Sequence, residues 1–108
     1  MSSGWYGVDL DGVLAHYDRW RGEDHIGEPI PAMVDCVKAW LAGGIDVRIF
    51  TARANSDDHA VLEEWLQKHI GCVLPITATK DYQMVRLYDD RCVQMEPNTG
   101  KRADGKEL

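Results

Sequence analysis

Four short runs rich in β-branched and aromatic residues alternate with two stretches of helical periodicity, and this alternation narrows the choice of fold more than any other feature of the chain. Trp5 to Asp9 reads as a short buried strand, Ile45 to Phe50 as a second, Cys72 to Ile76 as a third and Met84 to Tyr88 as a fourth. The first run shows little polar–apolar alternation, as expected of a strand covered on both faces by helices. Pro31 suits the first turn of a helix, because its missing N–H would be unpaired there in any case. Met33, Val34, Val37, Trp40 and Leu41 then recur at helical spacing, and Gly43-Gly44 stops the helix. For the second helix, Asn55 or Ser56 is the expected cap, with Asp57 and Asp58 placed against the N-terminal partial charge. Its stripe is Val61, Leu62, Trp65, Leu66 and Ile70, ended by Gly71. Pro75 puts the third strand at a sheet edge. The strand–helix–strand–helix–strand order implies an α/β fold with a parallel sheet. Chemistry in such sheets collects at the C-terminal ends of the strands.

A length of 108 residues fits one domain with one core. We expect it to occupy residues 1–96, followed by a polar, flexible tail over 97–108. The net charge of −6 argues against broad nucleic-acid binding. No run approaches the roughly 18 apolar residues that span a membrane, and Met1-Ser2-Ser3-Gly4 is too short and polar for a leader. The three cysteines, Cys36, Cys72 and Cys92, cannot all pair and form no Cys-x-x-Cys, which reads as reduced thiols in a cytoplasmic protein. Nothing in the sequence identifies a stable protein partner.

Three of the four expected strands run into polar groups suited to phosphate chemistry. Asp9 and Asp11 stand two apart in Val8-Asp9-Leu10-Asp11-Gly12-Val13, and Gly12 allows the bend that would turn both towards one point. Asp89-Asp90 ends the fourth strand. A hard cation such as Mg²⁺ takes oxygen ligands, usually one or two carboxylates, and leaves room for phosphate and water. Thr51 ends the second strand, and Lys80 can neutralise phosphate charge. Taken singly these are ordinary features: Asp-x-Asp-Gly is a common turn. Their order and their shared place at strand ends make them a site.

The pieces VDLDGV at 8–13, IFTAR at 49–53, Lys80 and LYDDR at 87–91 resemble the haloacid dehalogenase superfamily of phosphatases and phosphotransferases. The resemblance spans about Val8 to Arg91 and is most specific in its first piece. It implies a Rossmann-like, three-layer fold and a covalent aspartyl-phosphate mechanism. Asp9 would be the nucleophile, and Asp11 the general acid that later activates water. Thr51 would hold a phosphoryl oxygen, with Leu10 and Ala52 beside the two motifs counted among the substrate-binding residues. Lys80 would balance charge, and Mg²⁺ would be held by Asp9 and Asp11 with Asp89, Asp90 or both.

Two features depart from the family pattern. Only Asp81-Tyr82-Gln83 separate Lys80 from Met84, so the helix that relatives place there is missing. Seven steps from Thr77 to Met84 reach about 23–25 Å, which implies a very short third strand or a reduced sheet. The usual cap domain is also absent, leaving a flap of residues 15–31. An open mouth suits a phosphorylated small molecule such as a nucleotide, a nucleic-acid end or a phosphoprotein. His16, Tyr17, Arg19 and Trp20 on the flap, with Arg53 nearby, can stack a base and pair with phosphate; equally, Trp20 can anchor a solvated loop to the core. His59 and His69 read as ordinary helix residues. A catalytically idle metal- or phosphate-binding module is the alternative to the enzyme. A signalling receiver has the acids in the wrong order, and a cysteine phosphatase lacks its cysteine–arginine loop.

Overall fold

The computed structural model describes residues 4–108. Met1, Ser2 and Ser3, on which the reading of a missing leader rests, lie outside the described residues. The chain forms an α/β domain with four parallel strands and two helices: β1 (Trp5–Val8), α1 (Pro31–Ala42), β2 (Asp46–Phe50), α2 (Ala60–His69), β3 (Ile76–Thr77) and β4 (Met84–Tyr88). The strands lie in the order β3-β2-β1-β4. The chain therefore steps one way from β1 to β3, then returns past β2 and β1 to the far edge.

That path explains where the helices sit. Parallel crossovers are right-handed, so two made in the same direction put both helices on one face. Val8, Val47 and Ile49 share a core cluster with Val34 and Val37 of α1 and with Leu62, Trp65 and Leu66 of α2. Val8 pairs with Ile49 and Tyr6 with Val47, so these side chains project to the helix side. Among the described residues no helix forms the expected third layer. The opposite face carries Trp5, Arg48 and Phe50, and the return loop packs there in place of a helix. Trp5 is 1% exposed; its ring lies under the Arg48 guanidinium at 4.7 Å and its Nε1 donates to Asp81 at 2.8 Å.

Pro31 opens α1, Gly43 caps it and Gly44 follows at φ +83°. β3 has only two residues, so Pro75 lies just before it and Cys72 to Leu74 form no strand. Neither Asn55 nor Ser56 caps α2. The Thr51 hydroxyl accepts the Arg53 N–H and winds Ala52–Asn55 into a 3₁₀ turn, so α2 starts later, with the Asp58 carboxylate accepting the Ala60 N–H at 2.8 Å. Beyond β4, Glu96 donates to the Lys101 carbonyl and Ala103 to that of Gln94, both at 2.8 Å. The 96/97 boundary therefore falls inside a folded turn. Cys36, Cys72 and Cys92 are free and exposed. No described helix is long and apolar enough to cross a membrane.

Leu66 is fully buried between α2 and the sheet. Leu66→Ala should cost about 2–5 kcal/mol, read as a lower urea midpoint, whereas Val61→Ala on the exposed side of the same helix should change it little.

Candidate functional site

The strand order reverses direction between β1 and β4, and the crevice at the C-terminal ends beside such a reversal is where a parallel sheet binds ligands. Val8 pairs with Tyr88, and the Asp9 N–H donates to the Tyr88 carbonyl at 2.9 Å. The next residues on the two strands, Asp9 and Asp89, thus leave the sheet side by side. One carboxylate oxygen from each of Asp9, Asp89 and Asp90 lies within 4.8 Å of the others. Trans ligands on an ion with oxygens at about 2.1 Å are about 4.2 Å apart, so small side-chain rotations would close this triad on a single cation. The donors are all hard oxygens, which fits Mg²⁺ and not a thiophilic metal.

The loop after β1 is built to bring these acids together. Leu10, Leu14 and Ala15 are fully buried and pin it to the core, while Leu14 N–H and Ala15 N–H both donate to the Leu10 carbonyl. Gly12 has φ +91°, and a Cβ there would stand 2.5 Å from an Asp90 carboxylate oxygen. The positive φ therefore calls for glycine, and the Cβ of any other residue would push the Asp90 carboxylate aside.

Asp9 titrates at about 7, far above the ordinary 3.8 of a carboxyl. Burial is the main cause, the charge of Asp89 adds to it and Asp90 contributes further, while the Leu10 N–H opposes them. The nearby Cys92 thiol is also pushed up, first by partial desolvation and then by the charges of Asp89, Asp9 and Asp90.

A cleft of about 680 Å³ opens over the triad, lined by Thr51 and Ala52, by Tyr17 and Trp20 of the flap, and by Arg53 and Arg91. Thr51 is 4% exposed. Its oxygen accepts the Arg53 N–H at 3.2 Å, so its own proton remains available to a ligand.

Several expected placements differ. Asp11 stands in the cleft but outside the triad, because Arg53 holds its two oxygens in a forked pair at 2.8 and 3.0 Å. Lys80 does not line the cleft. Its neighbour Asp81 accepts from Trp5 Nε1 at 2.8 Å and pairs with Arg48 at 3.9 Å. His16 and Arg19 are exposed and also lie off the cleft lining. Leu10 is fully buried, and its N–H is occupied by Asp9 at 2.8 Å. His69 packs on Trp65 with ring centroids 4.7 Å apart, as an ordinary helix residue. His59 instead lines the cleft, its Nε2 3.0 Å from the Ala54 carbonyl oxygen. Arg91, Glu23 and Asp58 line the cleft without having been singled out from the sequence. For Arg91 the signal was present, in its place directly after the acidic pair.

Comparison with family models, curated proteins and solved structures finds no significant match.

The raised Asp9 means that the folded chain binds more protons than the unfolded chain between about pH 4 and 7. Stability from that neutral carboxyl is complete below about pH 4 and is lost as pH rises through about 7. The melting temperature of the chelator-treated protein should fall across this window, and Asp9→Asn should flatten the fall. Gly12→Ala should weaken Mg²⁺ binding by about 10–100-fold in a calorimetric titration, because the added carbon must displace Asp90.

Proposed function

We propose that the chain is a Mg²⁺-dependent phosphatase of the haloacid dehalogenase type, on a Rossmann-like domain without a cap domain, that attacks a phosphomonoester with Asp9. The observation carrying this reading is the approach of Asp9, Asp89 and Asp90 to within 4.8 Å beside the Thr51 hydroxyl, all at strand ends. Asp9, Asp89 and Asp90 would hold the ion, which supplies charge neutralisation and Lewis-acid polarisation when bound. The motifs at 8–13, 49–53 and 87–91 support the same assignment from the sequence side.

On this reading an Asp9 oxygen bonds to phosphorus as the bond from phosphorus to the leaving oxygen breaks. The leaving oxygen takes a proton from Asp11. Asp11 then accepts a proton from the water that cleaves the acyl phosphate, releasing inorganic phosphate and restoring Asp9. The Leu10 N–H orients the Asp9 carboxylate, and the Thr51 hydroxyl donates to a phosphoryl oxygen. Arg91, which lines the cleft where Lys80 does not, takes the charge-balancing part.

The cleft volume of about 680 Å³ suits a small molecule. Its lining acids, Asp9, Asp11, Glu23, Asp58, Asp89 and Asp90, outnumber Arg53 and Arg91, which disfavours a polyanionic strand. Tyr17 and Trp20, 43% and 54% exposed, offer flat surfaces to a base. A nucleoside monophosphate is therefore the preferred substrate class over a nucleic-acid end.

With Mg²⁺, the protein should release phosphate from nucleoside monophosphates faster than from a 3′-phosphorylated oligonucleotide, and chelator should abolish both activities. Asp9→Asn should lower kcat by at least about 10³-fold. Chelator-resistant hydrolysis, or wild-type turnover by Asp9→Asn, would exclude the mechanism.

A further inference from the structure

Arg53 is the most heavily engaged side chain of the cleft. Its Nε and Nη2 donate to the two oxygens of Asp11 at 2.8 and 3.0 Å. Nη2 also donates to the His25 carbonyl at 2.8 Å, and Nη1 to that of Glu23 at 3.1 Å. The Trp20 ring covers the guanidinium at 4.9 Å. The Arg53 side chain is only 10% exposed. With four donated bonds from five N–H groups and one face covered, Arg53 has little left to offer a phosphate. The Arg53 backbone is fixed as well, through its N–H to Thr51.

We propose that Arg53 is a positioning residue, which turns Asp11 away from the ion-binding carboxylates and ties the flap to Asp11. Asp9 and Asp11 are two residues apart on one loop, yet the first faces Asp89 and Asp90 and the second faces a cation. Arg53 supplies that difference. Each oxygen of a carboxylate has two acceptor sites, so a forked pair still leaves each Asp11 oxygen a free acceptor site while its orientation is fixed. Glu23 and His25 join the same guanidinium through their carbonyls, so flap and proton-transfer group share one anchor. The flap has further ties, Trp65 Nε1 to the Gly27 carbonyl at 3.0 Å and Ser56 to Glu23 at 3.3 Å, but neither involves Asp11.

The inference rests on the phosphatase reading for its catalytic half, and a double-mutant cycle on the full chain separates the two. Arg53→Lys keeps the charge and loses the fork. Both Arg53→Lys and Asp11→Asn should lower kcat by about 100-fold with KM nearly unchanged, and the double variant should be no worse than Asp11→Asn alone. The link is also read without turnover, from the rate of tryptic cleavage after Arg19 or Arg21 on the flap. That rate should rise in both single variants and no further in the double. Losses in kcat that multiply, or a cleavage rate that Asp11→Asn leaves unchanged, would overturn the inference and leave the phosphatase reading standing. The Asp11→Asn arm decides the matter alone should Arg53→Lys fail to fold. Shared flap loosening in a protein whose wild type hydrolyses no phosphomonoester would sink the phosphatase reading and keep the Arg53 link.

Discussion

The register between β1 and β4 is the constraint on which the site depends. Val8 opposite Tyr88, locked by the Asp9 N–H to the Tyr88 carbonyl, makes Asp9 and Asp89 leave the sheet together. A slip of one residue would send alternate side chains to the opposite face and part the two acidic ends. The helix-side aromatics oppose such a slip. Tyr6 and Tyr88 meet edge to face at 6.2 Å and Trp40 of α1 stacks on Tyr88 at 4.9 Å, which joins β1, β4 and α1 in one cluster. Packing at the strand ends thus carries the precision that the carboxylates require.

Three acids held this close oppose folding unless something offsets them. Without a cation, the chain answers by retaining a proton: burial and the charge of Asp89 raise Asp9 to about 7. Asp11, on the same loop, is offset differently, by a guanidinium in direct contact. Gly12 sets the geometry of both, since any larger residue would meet Asp90.

Much of the fold was legible because local chemistry and tertiary structure agree. Pro31 at the start of α1, Gly43-Gly44 at its end and the apolar stripe between them are short-range signals that packing left intact. The bounds of β4 follow from the sequence for the same reason, and Pro75 foretold that β3 would be an edge strand. The start of α2 was not legible. Thr51 reads as a strand-end residue, and only the bond to its hydroxyl reveals the turn that delays the helix. The type of Lys80 suits the chemistry, but spacing could not say that its neighbour Asp81 bonds to Trp5 across 76 residues or that Lys80 stays off the cleft lining. The Arg53–Asp11 pair, 42 residues apart, was hidden likewise: spacing brought both residues to the cleft but could not say that they bind each other.

The short connection between β3 and β4 shapes the second face of the sheet. With six residues for the crossover, the return path lies flat on the second face and the large Trp5 ring, roofed by Arg48, covers what a helix would cover elsewhere. Lys80 is not among the residues that line the cleft, whose acids outnumber its bases. A cleft so charged disfavours a multiply charged strand, because each further phosphate adds repulsion that the two arginines cannot offset. Among the described residues that line the cleft, Arg53 is committed to Asp11 and Arg91 is the other arginine. The proposed preference for a small, singly phosphorylated substrate therefore follows from the charge balance of the cleft lining.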